Sequence, residues 1–343
     1  MTTASADIAI ALDLIDGRVA GVDITPRRLP PIDAMMAGRP VAEMMAVLPR
    51  LFALCSTAHA VAATTAVDAA RGIEPSPAQQ RQRHAAVLAE RLVEQLRSAV
   101  TKLRLLDRPP VAHATRQAIG AAAQFGLSAN SDVPTLLRAI DQIEAALNAI
   151  HIADLQPAES TARFGSSGPL ALTAADDLNV IARLLQGGTR YAAAPDLDGA
   201  IPETGAWARS RASTAPDTAA ARLRARLDEL ATMPQTLRAL VSGDAPCPDA
   251  PIGYRVGNRR GAAAVETARG RLYHLVELGS DGRVAAFQMV APTEWNFHPR
   301  GPLAQMLRHA ALGADADAAA GQLIAAFDPC VGCKLSIREA ADA

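Results

Sequence analysis

Cys330 and Cys333 sit three residues apart in Phe327-Asp328-Pro329-Cys330-Val331-Gly332-Cys333, and Cys55 precedes a histidine by four in Cys55-Ser56-Thr57-Ala58-His59. Thiolates at the first spacing can both turn toward one soft metal ion, and a Cys and a His at the second share one face of a helix. If the two segments meet, a metal joins the tail to the body of the fold. Bringing Cys55 and Cys330 together costs about 5 kcal/mol of chain entropy, so packing or strong ligand bonds must hold them. A Cys-x-x-Cys by itself leaves three chemistries open: a zinc site completed by Cys55 and His59, a thioredoxin-like redox pair, or half of a larger centre. A redox pair is expected after a strand and at the opening of a helix near the start of a domain, whereas this one lies close to the C-terminal end. His59 reads either as a packed core histidine or as a donor to the Cys55 sulfur, and the second reading is favoured. Cys247, within Ala245-Pro246-Cys247-Pro248, carries no assigned role.

A third cluster joins Val265-Glu266-Thr267-Ala268-Arg269-Gly270 to Pro292-Thr293-Glu294-Trp295-Asn296-Phe297-His298-Pro299-Arg300-Gly301. Arg beside Gly allows a guanidinium to approach a buried anion closely, and a Pro-Thr pair can aim a hydroxyl at the same place. On chemistry alone the simpler reading is a pair of turns with ordinary hydrogen bonds.

The elements that must position these residues follow from periodicity. Residues 8–24 alternate apolar and polar around Asp16-Gly17, which predicts a β-hairpin. Helical spacing takes over from Pro40 to Pro49, and a second helix is expected through Cys55 and His59 to about Ala70. A long amphipathic helix is predicted over 78–106, with Val87, Leu88, Leu92, Leu96, Val100 and Leu103 on one stripe. Its Arg-rich face, interspersed with Glu90 and Glu94, reads as solvated. Further helices are expected over 114–125, 132–152, 173–186, 216–241, 302–311 and 315–326, with loops over 154–169 and 187–215. Short strand-like runs are Tyr254–Val256, Leu272–Leu278 and Val284–Val290, the last two joined by a turn at Ser280-Asp281-Gly282.

Half of the 343 residues are hydrophobic but only 3% are aromatic, so the core must be built of Ala, Leu, Val and Ile, and helices can approach closely. With 34 basic and 35 acidic residues the net charge is −1, and no basic block stands apart, which argues against nucleic acid or an anionic membrane as partner. No apolar run has membrane-spanning length and no signal peptide is visible, so a cytoplasmic protein without membrane insertion is expected. The expected fold class is α+β, predominantly α. It forms one domain over 1–343, with a helical middle over about 40–241, a β-rich segment over about 253–300 and the cysteine-bearing tail 327–343.

In this order the motifs resemble those of the large subunit of nickel–iron hydrogenases. The family's Arg-x-Cys-Gly-x-Cys-x-x-x-His aligns with Arg50 through His59, and its terminal Phe-Asp-Pro-Cys-x-x-Cys-x-x-His with Phe327 through Ser336. Glu266-Thr267-Ala268-Arg269-Gly270 is similar to the family's Glu-Ala-Pro-Arg-Gly, and Pro292-Thr293-Glu294-Trp295-Asn296 to its Pro-Thr-Thr-Trp-Asn. The resemblance implies a hydrogenase large-subunit-like helical bundle with small β-hairpins. It also implies that Cys55 and Cys333 match the two cysteines that bridge nickel and iron, and that Cys330 matches one nickel-only cysteine. Phe52 stands at the other. Arg269 and Thr293 match the residues that hold the cyanide ligands of iron.

The departures carry functional weight. One nickel thiolate is lost, Ser336 replaces the histidine after which the family's maturation protease cuts, and Leu14-Ile15-Asp16-Gly17-Arg18 lacks the family's proton-relaying Glu. Nickel is therefore not expected, hydrogen turnover is not expected, and the tail Ile337–Ala343 is expected to stay. This pattern is similar to hydrogenase expression/formation proteins of the HupK/HoxV type. What the resemblance implies is a non-enzymatic scaffold for iron as Fe(CN)2(CO) or a precursor. It would be held through Cys55 and Cys333, with His59 beside the first, and served by maturation chaperones and the apo large subunit as partners. The competing expectations are a metal-free interaction protein, a zinc protein and a residual hydrogenase.

Overall fold

The computed structural model describes residues 7–127, 131–158, 160–168, 170–210, 217–243 and 249–339, so Cys247 and the last residues of the tail lie outside the described residues. In chain order the elements begin with strands β1 (Ile8–Ile15) and β2 (Arg18–Thr25) and helices α1 (Ile32–Met36), α2 (Val41–Leu51), α3 (Ser56–Arg71) and α4 (Pro77–Lys102). Helices α5 (Pro109–Ala122), α6 (Val133–Ile150), α7 (Asp177–Ala193), α8 (Ala206–Ser210) and α9 (Ala219–Ser242) follow. Strands β3 (Ile252–Gly257), β4 (Arg260–Thr267), β5 (Gly270–Leu278) and β6 (Val284–Val290) come next. Helices α10 (Pro292–Asn296), α11 (Pro302–Leu307) and α12 (Ala316–Phe327) and strand β7 (Cys333–Glu339) complete the chain. The architecture is α+β and predominantly α. Contacts gather it into two compact units, one from Met1–Ile32, Pro157–Arg224 and Val290–Ala343 and one from Asp33–Gln156 and Ala225–Met289.

The first unit is organised on a three-stranded sheet of order β2-β1-β7. Asp16 and Gly17 both take positive φ, 50° and 69°, the conformation that a two-residue hairpin turn requires. Alternation puts Ile8, Ile10, Leu12 and Leu14 on the buried face, where they pack with Val19, Ile24, Leu303, Met306, Leu307, Leu323 and Phe327. β7 lies parallel to β1, from Ile8 opposite Cys333 to Leu14 opposite Glu339. Ser336, where the family has its cleaved histidine, is an interior member of this strand, and its hydroxyl donates to the Ile10 carbonyl at 3.4 Å.

The second unit packs α4, α5 and α6 around Leu88, Leu92, Leu96, Ile140, Ile143 and Leu147, with Leu227, Leu230 and Leu237 of α9. Beside them α3 covers a four-stranded sheet of order β3-β4-β5-β6. Strand β4 (RGAAAVET) is buried from its second residue onward although it is rich in alanine. A Cβ at Gly261 would lie 2.2 Å from the Ala66 carbonyl oxygen and 2.3 Å from the Ala70 nitrogen. Only glycine lets the helix and the strand approach this closely.

Several boundaries differ from the sequence expectation. α2 runs through Pro49 to Leu51, and Cys55 closes a 3-10 turn (Ala53–Cys55). Cys55 stands at the N-cap of α3 with φ −141° and ψ 39°, just outside the helix proper. α5 starts earlier than expected because Pro109 and Pro110 occupy its first turn, where a missing N–H costs nothing. α7 continues beyond 186 through a break at Gly188, φ 53°. The short α8 falls in the span read as loop. Among the described residues no single helix is long and apolar enough to cross a membrane.

The Gly261 contact is testable. Gly261→Val is expected to lower stability by about 2–3 kcal/mol through overpacking against α3, read as the shift in the urea unfolding midpoint.

Candidate functional site

The residues singled out by sequence fall into two groups, one in each unit. In the first unit, α12 ends at Asp328, whose left-handed conformation (φ 52°) turns the chain into Pro329 and Cys330. Pro cannot continue a helix and commonly follows such an end. Thr293 opens α10 directly after Pro292, and Asn296 anchors that helix by exchanging two hydrogen bonds with the Thr204 backbone at 3.0 and 2.9 Å.

This geometry brings the Thr293 hydroxyl to 3.2 Å from the Cys330 sulfur. Arg27, from the segment after β2, donates from Nη1 to the same sulfur at 3.3 Å and from Nε to Glu294 Oε1 at 2.8 Å. The side chains of Arg27 and Glu294 are only 9% and 4% exposed, so this is an ion pair shielded from water. Glu294 Oε2 is buried without a hydrogen-bond partner among the described residues. Cys333 begins β7, and burial, followed by the charges of Asp7 and Cys330, pushes its thiol up to about 11. A soft metal taking Cys333 must therefore displace its proton.

The second unit holds Cys55, His59 and Arg269. Phe52 lies flat on the His59 imidazole, with ring centroids 4.0 Å apart and planes 11° apart. His59 Nδ1 is 2.9 Å from Nε2 of His274, a residue of β5 that sequence reasoning passed over. His274 is fully buried, packs edge-on against Phe287, and burial lowers its imidazole to about 3.

Glu90 receives the backbone N–H groups of Thr57 and Ala58 at 2.6 and 2.9 Å, closing the N-terminus of α3 immediately after Cys55. Burial raises its carboxyl above the usual range, while those two N–H donors oppose the shift. Arg269 sits at the tip of the β4–β5 hairpin, where the Thr267 hydroxyl donates to the Gly270 carbonyl at 2.8 Å and accepts from Arg269 N–H at 3.2 Å. Its guanidinium pairs with Glu94 at 3.2 Å, with the two side chains 10% and 7% exposed.

One sequence expectation changes here. The face of α4 read as solvated is not: Glu90 caps α3, Glu94 holds Arg269, and Arg91 is buried against Glu229 and Asp249 at 3.0 and 3.1 Å. Thr293 faces a cysteine sulfur. Arg269 pairs with a carboxylate. Among the described residues no group of three or more His, Cys, Asp and Glu side chains is arranged to hold a metal ion.

A family model described as nickel-dependent hydrogenase matches residues 191–335. The hydrogenase expression/formation protein HupK of Bradyrhizobium diazoefficiens is 44% identical, with 98% of each chain covered. HoxV of Cupriavidus necator, also named a hydrogenase expression/formation protein, is 29% identical over 87% of this chain and 88% of that protein. Among solved structures, the Ni-Fe-Se hydrogenase of D. vulgaris Hildenborough superposes with a TM-score of 0.66 at 15% identity. The match covers 92% of this chain and 94% of that one, and it is a likeness of fold.

The buried His274 gives a signed pH dependence. Its imidazole protonates near 6.5 in the unfolded chain but only near 3 in the fold. The stability it contributes is therefore complete above about pH 6.5 and is lost as pH falls toward 3, at about 1.4 kcal/mol per pH unit. His274→Gln is expected to flatten the pH–stability curve by about one proton across that window, measured by urea titrations at a series of pH values.

Proposed function

The chain belongs to the hydrogenase expression/formation proteins of the HupK/HoxV type, and from that membership we propose that it is a non-catalytic scaffold for the iron half of a nickel–iron centre. In this reading Fe(CN)2(CO), or a precursor, is a cargo held through the thiolates of Cys55 and Cys333. Arg269 and Thr293 serve its cyanide ligands, and His59 lies one turn after Cys55. The cargo comes from maturation chaperones and passes to the apo large subunit in the cytoplasm, where thiols stay reduced.

The observation that carries the reading is Phe52. Where the family resemblance calls for a nickel-only cysteine, its ring is stacked on His59 at 4.0 Å and belongs to the packing of the site. A set that lacks a nickel thiolate but keeps both iron-side thiols suits iron alone. Thiolates are ligands for soft metals and for iron.

Release is as necessary to a scaffold as capture. Glu94 is the group that competes for Arg269, because the guanidinium can serve either the carboxylate or an anionic ligand. The same pair favours a second reading, a metal-free protein that protects the large subunit or its chaperones. With Glu94 in place, burial of Arg269 does not by itself call for a bound anion.

Infrared spectroscopy on protein purified without oxygen from cells expressing the maturation set separates the two. Cyanide and carbonyl stretches that disappear in Cys333→Ala and in Cys55→Ala are expected, and absence of both bands in the unaltered protein would reject the scaffold. In a loaded protein, Glu94→Gln is expected to slow loss of the iron unit, by about tenfold for each 1.4 kcal/mol of competition removed. Band decay against a thiol chelator measures that rate.

A further inference from the structure

The sulfur of Cys330 is held by a cation of the protein itself. Arg27 Nη1 donates to it at 3.3 Å, while Arg27 Nε is fixed by Glu294 at 2.8 Å. A guanidinium stays charged at every accessible pH and presents its donors in a rigid fork, so one Arg can grip a carboxylate and a sulfur together. The Thr293 hydroxyl lies on the same sulfur at 3.2 Å. A divalent ion seeking Cys330 meets a lone pair already engaged by Arg27 and a positive charge at hydrogen-bond distance from its ligand atom.

The carboxylate that fixes Arg27 is itself a departure, because Glu294 stands in Pro292-Thr293-Glu294-Trp295-Asn296 where the resembling motif has a second Thr. A buried carboxylate is costly unless paired, and Arg27 is the partner that offsets it. The two residues therefore act as one device: Glu294 holds Arg27, and Arg27 covers the sulfur.

We infer that the Arg27–Glu294 pair is a specificity element that denies Cys330 to a second metal ion, a soft divalent cation such as nickel. This rests on the iron-scaffold reading for its purpose, since a carrier of iron alone must not complete a two-metal centre. Its chemistry stands apart from that reading and is tested without iron.

The probe is Ni2+ alone, added to reduced, iron-free full-length protein, with affinity from equilibrium dialysis and the ligand identified by thiolate-to-nickel charge-transfer absorption. The unaltered protein is expected to bind no more tightly than Cys330→Ala. Arg27→Met is expected to bind at least about tenfold tighter, because a like charge next to the site is removed. The gain should vanish in the Arg27→Met, Cys330→Ala double variant. Glu294→Thr frees Arg27 without deleting it and is expected to show a smaller gain of the same kind, so it decides the matter if Arg27→Met does not fold by circular dichroism. The inference is overturned if folded variants bind nickel no better than the unaltered protein, or if the unaltered protein already binds nickel through Cys330. A protein that shows no cyanide or carbonyl bands would end the scaffold reading and leave the nickel result standing.

Discussion

The close approach of α3 to β4 is the constraint on which the second unit depends. Gly261 meets the backbone of Ala66 and Ala70, and the alanines of both elements keep the interface thin. Small side chains here are a structural requirement that a 3% aromatic content makes feasible. Because α3 is pressed onto the sheet, His59 reaches His274 on β5, and Cys55 at the helix start is set by the same packing. A looser contact would leave His274, fully buried, beside an unfilled gap.

Within each unit the buried charged groups are arranged as pairs. Arg269 answers to Glu94, Arg27 to Glu294 and to a sulfur, and the first amides of α3 to Glu90. Each pairing satisfies buried polar or charged groups within the protein itself.

Much of this was legible in the sequence. The Asp16-Gly17 hairpin, the long amphipathic α4, α6 and α12 were all read from periodicity and turn chemistry. β4 was not, because Ala262, Ala263 and Ala264 have little strand propensity and their burial comes from α3 and the neighbouring strands. β7 escaped because its pairing is non-local: Arg338 and Asp13 meet across 325 residues. The thiol positions and Thr293 were visible as motifs, but their partners were not. Arg27 sits between prolines with no periodic signal, and Glu90 and Glu94 look like any solvated helix face until the fold supplies α3 and the β4–β5 hairpin. The usable clue was Glu294, a carboxylate in a motif that elsewhere has a hydroxyl.

The parallel seam between β1 and β7 has a consequence for the life of the chain on the ribosome. β7 follows β1 by 325 residues, so at ordinary elongation rates one flank of β1 waits roughly 20–60 s for its partner. Cys333, the first residue of that late strand, is set in place only when the sheet closes. A nascent chain thus presents the Cys55 thiol long before that of Cys333 is fixed in its strand.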